Sequence, residues 1–177
     1  MANTKWAVDT SHSSIDFSVK HMMIAKVKGS FENFEAIIEA DPADLTTANI
    51  EFKIDLTSIN TKNEDRDNHL RSADFFDVEN HPSMTFKSTS IVKTDDGEYD
   101  VTGDLTIRGT TRTETFQVVF EGAGKDPWGN EKVGFSANGQ LNRSDYGLVW
   151  NAALETGGVL VGDQVKISIE IEAGKAE

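Results

Sequence analysis

The residues able to do chemistry concentrate in three groups. The first is Arg66-Asp67-Asn68-His69-Leu70-Arg71, which brings two guanidinium groups, a carboxylate and an imidazole within six residues. Guanidinium binds phosphate oxygens in pairs, so two arginines suit a phosphate or pyrophosphate head. The same residues equally suit a capped, salt-bridged helix, with Arg66 paired to Asp67 or to a strand carboxylate. Residues 60–82 carry three Lys or Arg against six Asp or Glu, a local balance of −3. That balance disfavours a strong anion site and is at least as compatible with a neutral head such as a quinone or an amide.

The second group is Arg143-Ser144-Asp145-Tyr146-Gly147. Arg143 either reaches a ligand or forms a buried ion pair that fixes a turn, with Gly147 supplying an unusual backbone angle. The third is the set of four histidines, His12, His21, His69 and His81. None sits at HxxxH or HExxH spacing, so no metal is expected. His81 precedes Pro82 and reads as a loop residue. His21 continues the row Ile15, Phe17, Val19 and should face inward, as a hydrogen-bonded core residue or a ligand contact. There is no cysteine, which removes thiolate ligands, disulfides and cysteine nucleophiles. No GxSxG string occurs, and neither Gly157-Gly158 nor Gly103 to Gly109 precedes Lys-Ser or Lys-Thr. Those glycines read as bulges or close strand approaches. No catalytic residue and no cofactor is expected.

Strands must hold these groups. Ile15, Phe17 and Val19 alternate with Asp16, Ser18 and Lys20, and Ile50, Phe52, Ile54 and Leu56 with Glu51, Lys53 and Asp55. Met84 and Phe86 flank Thr85. Val101, Gly103, Leu105 and Ile107 form another such row, as do Val133, Phe135 and Ala137, and Val165, Ile167, Ile169 and Ile171. Residues two apart share one face of a strand, so each segment has a dry and a wet side. One-sided patterning of this kind marks antiparallel pairing. Asp95-Asp96-Gly97, Asp126-Pro127-Trp128-Gly129-Asn130 and Gly162-Asp163 read as turns between strands. Asn63 to Phe76 has no β-branched residue and carries its acids early, which predicts a short helix from near Asn63, with Leu70 inward and Phe75-Phe76 packed behind it. Asp41-Pro42-Ala43-Asp44-Leu45 predicts a second helical turn. Residues 1–177 read as one domain with a frayed tail after Glu172. About eight to ten one-sided strands can stack as two sheets or close into a barrel, and a barrel of about eight can hold one small ligand. Periodicity leaves both open.

The chain has 177 residues, 37% hydrophobic and 27% charged, a globular composition. No apolar run approaches the ~20 residues that cross a bilayer. The start, Met1-Ala2-Asn3-Thr4-Lys5-Trp6, lacks the basic and apolar regions of a secretory signal, so the expected location is cytoplasmic. A net charge of −13 repels nucleic-acid backbones and anionic surfaces at long range. Neither nucleic acid nor stable membrane insertion is expected.

Longer strings now carry a resemblance. Asp9-Thr10-Ser11-His12-Ser13 leads into Ile15-x-Phe17-x-Val19-x-His21-Met22, then Val27-Lys28-Gly29-Ser30-Phe31 and Ser58-Ile59-Asn60-Thr61. Arg66-Asp67-Asn68-His69-Leu70-Arg71-Ser72-Ala73-Asp74-Phe75-Phe76-Asp77 follows, with His81-Pro82-Ser83-Met84-Thr85-Phe86-Lys87-Ser88 and Gly103-Asp104-Leu105-Thr106-Ile107-Arg108-Gly109 after it. Asn142-Arg143-Ser144-Asp145-Tyr146-Gly147-Leu148-x-Trp150 and Val161-Gly162-Asp163-x-Val165-x-Ile167 complete the set. In this order, from about Trp6 to Glu172, they resemble the YceI-like family of bacterial polyisoprenoid-binding proteins. The resemblance implies an all-β fold, an extended lipocalin-like antiparallel β-barrel of about eight strands with one short helix capping or flanking it. It implies a long tunnel for an isoprenoid tail, a polar head near the mouth, and pairing as a homodimer. Many members are secreted to the periplasm, which this N-terminus does not match.

The expected function is therefore non-catalytic binding, carriage or storage of a long apolar lipid. The candidates are a polyprenyl phosphate or pyrophosphate and an isoprenoid quinone. The expected ligand contacts are Phe17, Val19, His21, Phe52, Ile54, Arg66, Asp67, His69, Phe76, Phe86, Leu105, Phe135, Arg143 and Trp150. Without the resemblance, the aromatics among them read as an ordinary filled core. Two alternatives stand beside this reading. One is an enzyme acting on an isoprenoid or amide lipid through Asp67 with His69 or His21; the other is a structural β-domain with a filled interior. At about 0.8 kcal/mol per buried methylene, one five-carbon unit contributes about 4 kcal/mol gross, against about 8 kcal/mol net for micromolar binding. A few buried units therefore suffice, after ordering costs.

Overall fold

The alternating segments extend and pair edge to edge. The computed structural model describes residues 3–152, 154 and 159–176. Among these lie strands β1 (Thr4–Val8), β2 (Ser14–His21), β3 (Ala25–Phe31), β4 (Phe34–Asp41), β5 (Asp44–Asp55) and β6 (Ile59–Asn60). Helix α1 (Glu64–Arg71) follows, then β7 (Ser83–Asp95), β8 (Glu98–Ile107), β9 (Thr110–Lys125), β10 (Glu131–Asn142) and β11 (Val161–Lys175). The pairings are antiparallel.

Eight strands form a ring in the order β1-β4-β5-β7-β8-β9-β10-β11, and β11 returns to β1. The dry faces thus close on one another as a barrel rather than stacking as two sheets. The closing seam is short: Trp6, Ala7 and Val8 face Lys175, Gly174 and Ala173. The earlier part of β11, from Val161 to Glu170, pairs instead with β2, which continues to β3 and then to β6. β1 and β2 therefore share β11, and the turn Thr10–His12 separates them, with the Asp9 carboxylate accepting the Ser11 N–H. The inward rows hold the core, including Ile15, Ile54, Phe86, Val101, Leu105, Phe135 and Ile171. Gly103 lies on such a row and permits a close approach. A Cβ there would stand 2.4 Å from the Lys87 carbonyl oxygen and 2.5 Å from Phe86 Cζ.

Helix α1 begins where its cap predicts. Asn63 is extended, and its side chain accepts the Arg66 N–H. Glu64, Asp65 and Asp67 complement the positive end of the helix dipole. Leu70 packs toward the core and Phe75 is buried. The helix lies in the connection from β5 to β7, at the barrel end where β8 and β10 also finish.

Three local expectations fail. Asp41 to Leu45 is a hairpin loop and not a helical turn: Asp41 faces Asp44, leaving Pro42-Ala43 as the tip, and the Asp41 carboxylate accepts the Ala43 N–H. Gly162-Asp163 is not a turn between strands but an irregularity inside β11, where the register to β2 shifts between Val161 and Val165. Ala173 to Lys175, placed after Glu172 where a frayed tail is expected, are not frayed but make the seam. The expected bulge at Gly157-Gly158 lies outside the described residues.

Candidate ligand-binding site

The barrel encloses a cavity of 340 Å³, within the usual size range of ligand pockets. Its wall comes from inward rows of most barrel strands, from β2 and β3, from α1 and from the segment after it. Of the expected contacts, Phe17, Val19, His21, Phe52, Ile54, Arg66, His69, Phe76, Phe86, Leu105, Phe135, Arg143 and Trp150 line this space. Asp67 does not. Its buried carboxylate accepts both the Thr61 N–H at 2.8 Å and the Thr61 hydroxyl at 2.5 Å, which locks the start of α1 to the chain before it.

Aromatic pairs shape the bore. Phe86 meets Phe116 edge-on at 5.4 Å between centroids, and Phe120 meets Phe135 at 5.5 Å. Nearer the helix, Phe31 stands between Phe17 at 5.4 Å and Phe76 at 6.1 Å. His69 lies edge-on to Trp150 at 4.7 Å and to Phe75 at 5.0 Å, while its Nε2 meets the Asp74 carboxylate at 2.9 Å.

Both arginines on the wall are engaged within the protein. Arg66 pairs with neither Asp67 nor a strand carboxylate; its Nε donates to the Thr61 hydroxyl at 2.8 Å and its Nη2 to the Thr61 carbonyl at 2.7 Å. Arg143 is buried and fixes its turn through carbonyls. Its guanidinium donates to Gly162 at 2.8 Å, Leu148 at 2.7 Å, Trp150 at 3.0 Å and Val161 at 3.3 Å, and stands 5.9 Å from the centre of the Phe75 ring. Burial pushes its pKa down, and the Asp163 charge opposes that push. Gly147 takes the left-handed angle its position asked for, φ 81°.

Some wall residues escaped the sequence reading. Phe116 and Val118 line the cavity from β9, whose threonine-rich opening hides its alternation. Tyr146 lines it from a 3-10 turn, where a period-two rule does not apply. Its hydroxyl donates to Glu114 at 2.7 Å; burial first, then that bond, raises the phenol's pKa and keeps it neutral. Leu141 also lines the cavity and extends the row Val133, Phe135, Ala137, so parity could have found it.

The YceI-like domain family matches residues 6–173. The chain belongs to the YceI-like family. A UPF0312 protein of Staphylococcus aureus strain N315 is 44% identical over 175 residues, spanning 98% of this chain and 99% of that one. The crystal structure of Burkholderia cenocepacia BcnA aligns with a TM-score of 0.82 at 26% identity, over 93% of this chain and 98% of that chain. A polyisoprenoid binding domain from Saccharophagus degradans aligns at 0.74 over 98% and 99%, with 14% identity, a likeness of fold.

In this YceI-like barrel, one group among the described residues gathers metal-type donors. Asp9, His12 and Glu172 bring theirs within 4.8 Å of one another, away from the cavity wall. His12 Nδ1 lies 2.8 Å from Asp9 and 3.7 Å from Glu172. The join between β1 and β2 and the far end of the chain make this group, so histidine spacing does not reveal it.

Proposed function

We propose that this protein binds a long apolar molecule of isoprenoid type, with an uncharged head, and carries or stores it without transforming it. The observation that carries the reading is the cavity inside the barrel, whose wall is almost entirely aliphatic and aromatic. The Saccharophagus domain of the same fold binds polyisoprenoid; the shared fold supports the barrel, and the cavity's own lining supports the ligand class.

The uncharged head follows from the hydrogen bonds of the wall. Arg66 and Arg143 already donate to Thr61 and to four backbone carbonyls. Drawing either onto a pyrophosphate would orphan those partners, at a cost of about 1–3 kcal/mol for each buried group. His21 lines the cavity where β2 ends and has no side-chain hydrogen bond among the described residues. It can meet a carbonyl or hydroxyl head. The enzymatic alternative loses the carboxylate it named, since Asp67 is committed to Thr61.

The test is organic extraction of the purified protein followed by mass spectrometry, with uptake of a fluorescent polyprenol from detergent micelles. An isoprenoid extract and tighter uptake of the polyprenol than of its pyrophosphate are expected. No extracted lipid and no uptake would end the binding reading. Preference for the pyrophosphate would end the uncharged-head reading alone.

A further inference from the structure

The charge of this chain is distributed unevenly. Residues 17–31 hold Lys20, Lys26 and Lys28 and no acidic residue, whereas the whole chain carries −13. In the structure these lysines share the outer face of the β2–β3 hairpin. Lys20 stands directly opposite Lys26, and Ser18 lies between Lys28 and Lys166 of β11. All four are exposed. Among the described residues, none has a carboxylate within 4.0 Å. Like charges placed opposite each other across strands repel, so folding alone does not favour this arrangement.

The tip of the same hairpin is apolar and bare. Met22 is 43% exposed, Met23 58% and Ile24 84%. Met22 and Met23 have φ of 54° and 63°, a region that glycine or asparagine ordinarily fills in so tight a turn. Strain at such a place points toward a use. The Met22 N–H donates to the Leu160 carbonyl at 2.7 Å, beside exposed Val159. The tip is also continuous with the cavity, because Val19, His21, Val27 and Leu160 line that space just behind it.

We propose that the β2–β3 hairpin docks the barrel reversibly on an anionic lipid bilayer. Met22, Met23 and Ile24 enter the headgroup layer while Lys20, Lys26, Lys28 and Lys166 meet lipid phosphates. The chain's net charge opposes approach, but screening acts over about 8 Å at physiological salt, so the nearest charges decide at contact. Each lysine near an anionic surface strengthens binding about five-fold. The contact is interfacial and inserts no spanning segment. Docking rests on the apolar-ligand reading only for its purpose, which is to bring the cavity beside a membrane that supplies or receives the ligand.

The experiment is flotation of the intact protein with phosphatidylcholine vesicles and with vesicles containing 30% phosphatidylglycerol. Two variants accompany it, Met23→Ser with Ile24→Ser, and Lys26→Glu with Lys28→Glu. Binding to the anionic vesicles is expected, with loss in 0.5 M NaCl and at least a ten-fold drop in either variant at unchanged circular dichroism and melting temperature. Equal binding to both vesicle types, no binding to either, or variants that bind like the parent would each overturn the proposal. So would a change of the tip variant from dimer to monomer with vesicle binding intact, since the tip would then join two copies. Polyprenol uptake from micelles is measured in parallel. Both variants are expected to keep it, which separates failure of docking from failure of ligand binding.

Discussion

Arg143 shows how one side chain can hold a site together without an acidic partner. Its planar fork ties the turn after β10 to the start of β11 through the Leu148, Trp150, Val161 and Gly162 carbonyls. Lysine is a single point charge and cannot span that set. Arg143→Lys and Arg143→Met are both expected to lose about 3 kcal/mol in urea unfolding, because hydrogen bonds from a charged donor are worth about 1.5–3 kcal/mol each. A loss below about 0.5 kcal/mol would mean that water replaces the guanidinium freely. The Asp9–His12 contact adds a pH dependence. The hydrogen bond that protonated His12 donates to the Asp9 carboxylate raises the His12 pKa above its ordinary 6.5, so its contribution is complete below that pH and disappears as pH rises through the folded value. Bonds from Ser11 and His12 hold Asp9 below its ordinary 3.8, so its contribution is present above that pH and falls away in acid. The turn joining β1 to β2 should therefore be best held between about pH 4 and 6.5. Amide exchange at Ser11, corrected for intrinsic rate, is expected to quicken from pH 6 to pH 9, and His12→Asn should remove that change.

At the scale of elements, legibility depended on how one-sided a segment is. β2, β5, β8 and β11 alternate cleanly and read as strands. β4 does not, because Ile37 on its outer side is half exposed while inward Ala40 is small and buried. The helix was legible because Asn63 and the early acids are a local code, satisfied within one turn. The Asp41 loop misled because its acids and proline fit a helix start as well as a hairpin tip, and the pairing of β4 with β5 chose between them. The β2–β3 turn gives an element-level prediction. Replacing Met22→Asn together with Met23→Gly relieves two left-handed residues at about 1 kcal/mol each. Thermal unfolding of this double variant is expected at higher temperature, and anionic-vesicle binding is expected to fall in the same protein. Unchanged stability would show that the turn holds no strain.

For the whole molecule, the question is whether the barrel is better full or hollow. Ala137 lines the cavity from β10, opposite Val118 and Ile169 of the flanking strands. Ala137→Phe is expected to keep the fold, since added apolar bulk enters existing space, and to abolish polyprenol uptake. Overpacking in a filled core would instead cost about 1–3 kcal/mol, read as a lowered urea midpoint. That outcome would show the interior to be tighter than its volume indicates. Retained uptake would place the ligand elsewhere.

By itself, the order of residues determined that strands would be one-sided and antiparallel, that a capped helix would begin at Asn63, and which apolar rows would face inward. Those properties are local, because side chains alternate every residue along a strand and a cap is closed within four. The motif strings also carried the family. Three things were decided only by the tertiary structure: that the sheet closes through Trp6 to Val8 and Ala173 to Lys175, that Asp67 serves Thr61, and that Arg143 finds carbonyls. Each depends on partners brought together by closure, and closure depends on twist, bulges and register summed around eight strands. No short window of sequence contains that sum.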